Sequence, residues 1–384
     1  MKKICIVIGS RANYSSIKSV LSNIKKNKNL RLQLVLNTSS LLYKYGNVSK
    51  LIEEDGFKID EKIYNLVEGE IPLTMAKSTG LALIELSSTF ERLSPDIVLT
   101  VGDRFETMGT VLAACYMNIP LAHTMGGEIS GTIDESIRHA VTKLAHIHFP
   151  ANKNAAKVIE KLGEEKSRIF NVGCPRIDLV KEILNDKKII LTNNIFDTGV
   201  GDKLNLAQPF LVISQHPVTT EFKDAENQMK LTLDSIADID IQAIVLWPNA
   251  DAGSAYIAKA IRSFRENNSR RSIHFFRNLP VEIYIKLLEK TKCLIGNSSS
   301  GIREGNFIGV PCVNIGSRQN GRDRGSNVID VQYDYEKIKS AVSKQIKIGK
   351  YKSGNLYGNG TAGKKITEIL AGDLKINIQK TLRY

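Results

Sequence analysis

Short apolar runs rich in β-branched residues alternate along this chain with longer stretches in which apolar positions return at helical spacing. Ile4–Ile8, Leu32–Leu36, Asp96–Val101, Leu121–Thr124, Ile147–Phe149 and Ile169–Val172 read as strands. Between them lie amphipathic segments such as Arg104–Met117 and Asp134–Ala145, where Ile137, Val141 and Leu144 recur every three or four residues. Repeated alternation of this kind is the signature of parallel α/β architecture. The polar stretch Lys181–Gln208 then interrupts it, and a second set of strands follows at Phe210–Ser214, Ala243–Trp247, Ile273–Phe275, Cys293–Gly296 and Cys312–Ile315.

The pattern predicts two doubly wound, Rossmann-like α/β domains facing a cleft. Residues 1–180 form the first, 181–208 a linker with a peripheral turn, and 209–360 the second. Residues 361–384, helical in period over Ala362–Ile378, are expected to cross back to the first. A length of 384 residues agrees, because single cores stop growing at roughly 250–300 residues.

Composition narrows the picture. The five cysteines are dispersed and mostly sit in apolar runs, which fits buried reduced thiols in a cytoplasmic protein. The N-terminal apolar run breaks at Gly9-Ser10-Arg11, too soon for a signal segment or a membrane span. Net charge is +13, but the lysines are scattered, with no aromatic-interleaved stripe, so neither nucleic acid nor a membrane is expected as partner.

In open parallel sheets the working residues lie on loops after the strand ends. Gly9-Ser10-Arg11-Ala12-Asn13-Tyr14-Ser15 offers N–H groups and a guanidinium to an anion, or is an ordinary turn; it lacks the G-x-G-x-x-G fingerprint. Gly102-Asp103-Arg104-Phe105-Glu106 brings a carboxylate and a cation to a strand end, unless Asp103 merely caps the next helix. His123–His139 is the densest segment, with three glycines, three carboxylates, two histidines and an arginine in seventeen residues. Capping by Asp134 or Glu135 explains only part of it.

Gly296-Asn297-Ser298-Ser299-Ser300-Gly301-Ile302-Arg303-Glu304 suits phosphate at a helix N-terminus, with Glu304 in reach of ribose hydroxyls. His216, held in an extended turn by Pro217, is not expected in a core, whereas His146 and His148 read as structural. No Cys/His cluster has metal-ligand spacing, and neither metal nor cofactor is expected.

Together these loops resemble those of the UDP-N-acetylglucosamine 2-epimerase family, through nearly the whole chain. Gly126-Gly127-Glu128-Ile129-Ser130-Gly131-Thr132-Ile133-Asp134-Glu135-Ser136-Ile137-Arg138-His139 and Gly316-Ser317-Arg318-Gln319-Asn320-Gly321-Arg322 are similar to its hydrolysing branch, which serves sialic and legionaminic acid synthesis. The resemblance implies a glycosyltransferase-B type fold, a homodimer or homotetramer, and conversion of UDP-GlcNAc or a UDP-2,4-diacetamido-trideoxy sugar to UDP and the free 2-epimer. The base, uridine or guanosine, stays open.

By the same resemblance Asp103, Asp134 and His216 are catalytic, and Glu128 and Glu135 are carboxylates not separable in role from Asp134. Arg11, Ser15, Arg104, Arg138, Asn249, Ser299, Ser300, Glu304 and Arg318 are expected to contact the substrate. The chain departs at Met125, where hydrolysing relatives carry a catalytic Glu, and at Asn13 and Ser16, where they often have Asp and Lys. Methionine transfers no proton, so Glu128, Asp134 or Glu135 takes that step, or the sugar or the second step differs. The alternatives are a glycosyltransferase of the same fold and a non-catalytic nucleotide-sugar-binding protein.

Overall fold

The computed structural model describes residues 1–249, 251–267 and 272–381. Ala250, in the loop after Trp247, and Leu382–Tyr384, in the expected C-terminal segment, lie outside the described residues. By contacts the chain divides into two compact units: residues 1–129, 133–179 and 357 onward, and residues 130–132 with 180–356.

The first unit runs β1 (Lys2–Ile8), α1 (Arg11–Lys26), β2 (Leu30–Asn37), α2 (Val48–Glu54), β3 (Glu61–Ile63), α3 (Pro72–Leu93), β4 (Ile97–Val101), α4 (Phe105–Tyr116), β5 (Leu121–Thr124), α5 (Asp134–Leu144), β6 (Ile147–Phe149) and α6 (Lys153–Lys161), and α7 (Pro175–Asn185) begins in it. Its sheet has the order β3-β2-β1-β4-β5-β6, and every neighbouring pair is parallel. In β1, Ile4, Ile6 and Ile8 pack with Ile17, Val20, Leu21 and Ile24 of α1, while Cys5 and Val7 join Leu86 and Phe90 of α3 on the other face. A parallel sheet covered on both faces needs such continuous apolar strands, and cutting one of these isoleucines to alanine costs about 2–5 kcal/mol. The strand order reverses at β1 and β4, which puts the crevice of the sheet at the loops that follow them.

The second unit runs β7 (Val200–Gly201), β8 (Phe210–Ser214), α8 (Ala225–Ala237), β9 (Gln242–Leu246), α9 (Ser254–Asn267), β10 (Ile273–Phe276), α10 (Val281–Lys290), β11 (Cys293–Gly296), α11 (Arg303–Ile308), β12 (Cys312–Ile315), β13 (Val328–Val331) and α12 (Tyr335–Ile348). The order is β13-β12-β11-β8-β9-β10-β7, parallel except for β7. Here the order reverses at β8 and β11. A last helix, α13 (Ala362–Ala371), belongs to the first unit, where the Asp178 carboxylate accepts from the N–H groups of Ala362 and Gly363.

Several elements differ from the sequence expectation. Ile169–Val172 forms a single bridge from Ile169 to His148 and no strand, because the chain turns into α7 at Pro175. The segment 181–208 holds the end of α7, a 3₁₀ turn at Asn193–Asp197 and β7, which extends the second sheet. The last helix stops at Ala371, capped by the Gly372 N–H, and does not reach Ile378. The edge strands β3 and β13 were not apparent as apolar runs.

Candidate active site

In the first unit, α5 brings its amino end to the loop that follows β4. The cap position of α5 is Ile133, without a side-chain cap, so Asp134 and Glu135 lie in the first turn. There their charge is stabilised by the helix dipole. The cap of α4 is likewise Arg104 and not Asp103. The Asp103 carboxylate instead accepts from Nε of Arg138 at 2.8 Å and from its Nη2.

Arg138 is completely buried and ties three segments together. Besides Asp103, its Nη1 donates to Oε2 of Glu135 at 2.7 Å and to the backbone oxygen of Glu128 at 2.7 Å. The other oxygen of Glu135 lies 2.8 Å from Nε2 of His139. Burial opposes the guanidinium charge, but Asp103, Glu128 and Glu135 together raise its pKa above the ordinary value. Breaking such a buried pair from one side costs about 3–5 kcal/mol. The structure thus assigns to internal carboxylates a guanidinium that the sequence reading grouped with substrate contacts.

The glycine run after β5 fits closely. Gly127 has φ +76°, and a Cβ there would lie 2.2 Å from the Ala155 oxygen. Met125 adopts φ +61°, is buried, and meets the Cys174 thiol with its sulfur at 3.6 Å. Glu128 is buried at 3% exposure.

At the start of α1 the Ser10 side chain accepts from the Asn13 N–H, and Ser15 donates its hydroxyl to the Arg11 carbonyl at 2.7 Å. Arg11 is half-buried. Asn13 accepts from Gly9 N–H at 3.2 Å and donates to Val101 O at 3.1 Å, locking the β1 loop to the end of β4. An aspartate could not make that donation. Arg104 donates through Nε to Glu106 at 2.8 Å.

In the second unit the loops after β8 and β12 meet at Asn297, just past β11, and the loop after β9 reaches His216. Its Oδ1 accepts from His216 N–H at 2.7 Å and its Nδ2 donates to His216 O at 2.8 Å. Asn297 O in turn accepts from Arg318 Nη1 at 3.1 Å and from Gln319 Nε2 at 2.9 Å. His216 Nδ1 accepts from the Asn249 N–H at 3.2 Å, so a neutral ring carries its proton on Nε2. Contrary to the sequence expectation, His216 is buried at 8% exposure, because Asn297 satisfies its backbone from a distant loop.

The serine loop is also more enclosed than expected. It begins a 3₁₀ turn, Ser299–Gly301, and the following α11 has only six residues. Ser300 is buried with its hydroxyl against Tyr284 and Ser298. Ser299 is half-buried and Glu304 buried. Among the described residues no group of three or more His, Cys, Asp or Glu is placed to hold a metal ion, and no helix is long and apolar enough to cross a membrane.

Two residues with structural leverage lie in the candidate loops but have no role legible in the sequence, Asn297 as the hub of the second unit and Glu106 as the partner of Arg104. The Glu135, Arg138, His139 spacing of three and four on one helix was the available signal for the Arg138 cluster.

The family model for UDP-N-acetylglucosamine 2-epimerase matches residues 22–371. The chain is 34% identical over 353 residues to the GDP/UDP-N,N'-diacetylbacillosamine 2-epimerase (hydrolyzing) of Campylobacter jejuni, covering 90% of this chain and 89% of that protein. It is 33% identical over 370 residues to the UDP-N,N'-diacetylbacillosamine 2-epimerase (hydrolyzing) of Legionella pneumophila, with 96% of each covered. The fold matches the crystal structure of the UDP-GlcNAc 2-epimerase from Neisseria meningitidis bound to UDP-GlcNAc, with a TM-score of 0.81 at 17% identity over 96% of this chain and 99% of that one. With the doubly wound sheets and these strand-end loops, so extensive a match means that the chain belongs to the UDP-N-acetylglucosamine 2-epimerase family.

Proposed function

We propose that this protein is a hydrolysing nucleotide-sugar 2-epimerase, which converts a UDP-linked 2-acetamido sugar and water to UDP and the free 2-epimer. The observation that carries the reading is the carboxylate cluster of the first unit: Asp103 and Glu135 on buried Arg138, with Asp134 beside Glu135 in the first turn of α5.

The chemistry needs such a cluster. A carboxylate removes the C2 proton, and the C1–O electron pair leaves with UDP to give a 2-acetamidoglycal. Water then adds its oxygen to C1 while C2 receives a proton on the opposite face. Asp103 and Asp134 are the carboxylates proposed for these transfers, with Glu128 and Glu135 as their neighbours. Met125 cannot take part, since its thioether holds no transferable proton. Arg138 orients Asp103 and Glu135, a positioning role in place of substrate contact.

His216, with a proton on Nε2, supplies a donor to the charge growing on the leaving group. Arg11, Arg104 and Arg318 are the proposed diphosphate contacts, and Ser15, Asn249, Ser299, Ser300 and Glu304 the remaining contacts to the nucleotide sugar. The two relatives near one third identity act, by name, on diacetylbacillosamine nucleotides. We therefore place a UDP-2,4-diacetamido-trideoxy sugar ahead of UDP-GlcNAc as substrate, with a product of the kind used in sialic- or legionaminic-acid-type synthesis.

The test is turnover of each sugar nucleotide in deuterated water, followed by proton NMR. Free 2-epimer with deuterium at C2 and stoichiometric UDP is the expected result. A 2-epimer still bound to UDP, or a free product with protium at C2, would overturn the mechanism.

A further inference from the structure

Arg104 stands at the amino end of α4 with its side chain 12% exposed, and what fixes its direction is Glu106, two residues on. Glu106 is buried, with a side chain only 3% exposed, and its Oε1 accepts from Arg104 Nε at 2.8 Å. The guanidinium carbon also sits 5.8 Å from the Phe105 ring centre, so the arm is held on two sides. Among the described residues the second oxygen, Oε2, has no hydrogen-bond partner, and neither has Nδ2 of Asn37. Both residues line one small polar cavity, with Asn13, Thr100, Thr107 and Thr110 among its walls. Gly9 makes the packing feasible, since a Cβ there would lie 2.5 Å from Cγ of Glu106.

A carboxylate kept under the sheet crevice at the cost of its desolvation, when a neutral side chain of similar shape would pack as well, calls for a reason beyond stability. We propose that Glu106 is a positioning residue: it orients Arg104 through Nε so that the guanidinium is preset for the substrate's diphosphate. A planar guanidinium held by one edge has its direction fixed, and a preset cation binds an anion without first losing side-chain freedom. The inference rests on the reading that Arg104 meets the nucleotide sugar.

A double-mutant cycle tests it with the full-length protein. Glu106→Gln keeps the shape and removes the charge. It is expected to raise KM for the UDP sugar about ten-fold with kcat within about three-fold, and to do nothing further when Arg104 is already alanine. An equal loss from Glu106→Gln with and without Arg104 would overturn the positioning role, as would unchanged KM in Glu106→Gln alone. If Glu106→Gln does not fold, Glu106→Asp, which keeps the charge on a shorter arm, is put through the same cycle and judged by the same two outcomes. Arg104→Ala alone separates the premise from the inference. Normal KM and normal UDP affinity in that variant would remove Arg104 from the nucleotide-sugar site, whatever Glu106 does.

Discussion

The two units share an architecture and differ in how they hold their candidate site residues. In the first, charged side chains hold one another: Arg138 grips Asp103 and Glu135, and Glu106 grips Arg104. In the second, an amide and backbone groups do the holding: Asn297 clasps His216 on both sides and receives Arg318 and Gln319 on its carbonyl. Proton transfer demands carboxylates whose charge is set and whose direction is fixed, and opposed charges provide both. Recognition of a nucleotide demands shape and donors, which small side chains on a rigid sheet end provide. The contrast fits the proposed roles of the proton-transfer carboxylates in the first unit and of most nucleotide contacts in the second, with Arg11, Ser15 and Arg104 of the first unit and His216 of the second as the exceptions.

The largest effect expected of that division is at Asp134. Asp134→Asn should lower turnover about 10⁴-fold while UDP affinity stays within a few-fold. Unaltered turnover would take Asp134 out of the mechanism. Next comes Arg138→Met, which leaves two carboxylates without their buried cation. It should cost about 3–5 kcal/mol in urea unfolding followed by circular dichroism, together with most of the activity. A stable Arg138→Met protein with a raised KM and a normal kcat would return Arg138 to direct substrate contact. Smaller again is Glu304→Ala in the second unit, expected to weaken UDP binding about ten-fold by calorimetry, roughly 1.4 kcal/mol, with kcat within about three-fold. A pure rate defect there would break the division between the units.

The same contrast explains what the sequence disclosed. Strands β1, β4, β5, β8, β11 and β12 were legible because a parallel strand covered on both faces must be a continuous apolar run. Strand β3, Glu-Lys-Ile, and strand β13, Val-Ile-Asp-Val, lie at sheet edges where half-exposed positions carry polar residues, so their runs are broken. The loops with candidate chemistry were legible from their glycines and carboxylates. Their internal wiring was not, since Asp103 meets Arg138 from 35 positions away and Asn297 meets His216 from 81. His216 looked exposed because its local sequence gives no hint of an amide arriving from β11.

Acid should part the two units by a smaller margin. The first unit buries three histidines with depressed pKa values: burial pulls His123 down to about 3 and lowers His146 and His148 as well. Burial would raise Glu164, but hydrogen bonds from His148, Lys143 and Lys380 bring it to about 2. All four groups hold fewer protons folded than unfolded, so stability rises with pH across their windows. For the histidines it is complete above their unfolded value near 6.5 and lost as pH falls from there, for His123 until about 3. For Glu164 it is complete above the unfolded value of 4.5 and lost toward about 2. Each histidine contributes at most about 1.4 kcal/mol per pH unit within its window. The single tryptophan, Trp247, lies in the second unit and reports on it alone. At pH 5.5, urea unfolding seen by circular dichroism should begin before the tryptophan signal moves, whereas at pH 7.5 the gap should narrow. In His123→Gln the acid shift should shrink by about 1 kcal/mol, one histidine's share over one pH unit. Coincident transitions at both pH values would show that the acid-sensitive charges of the first unit do not set its stability apart.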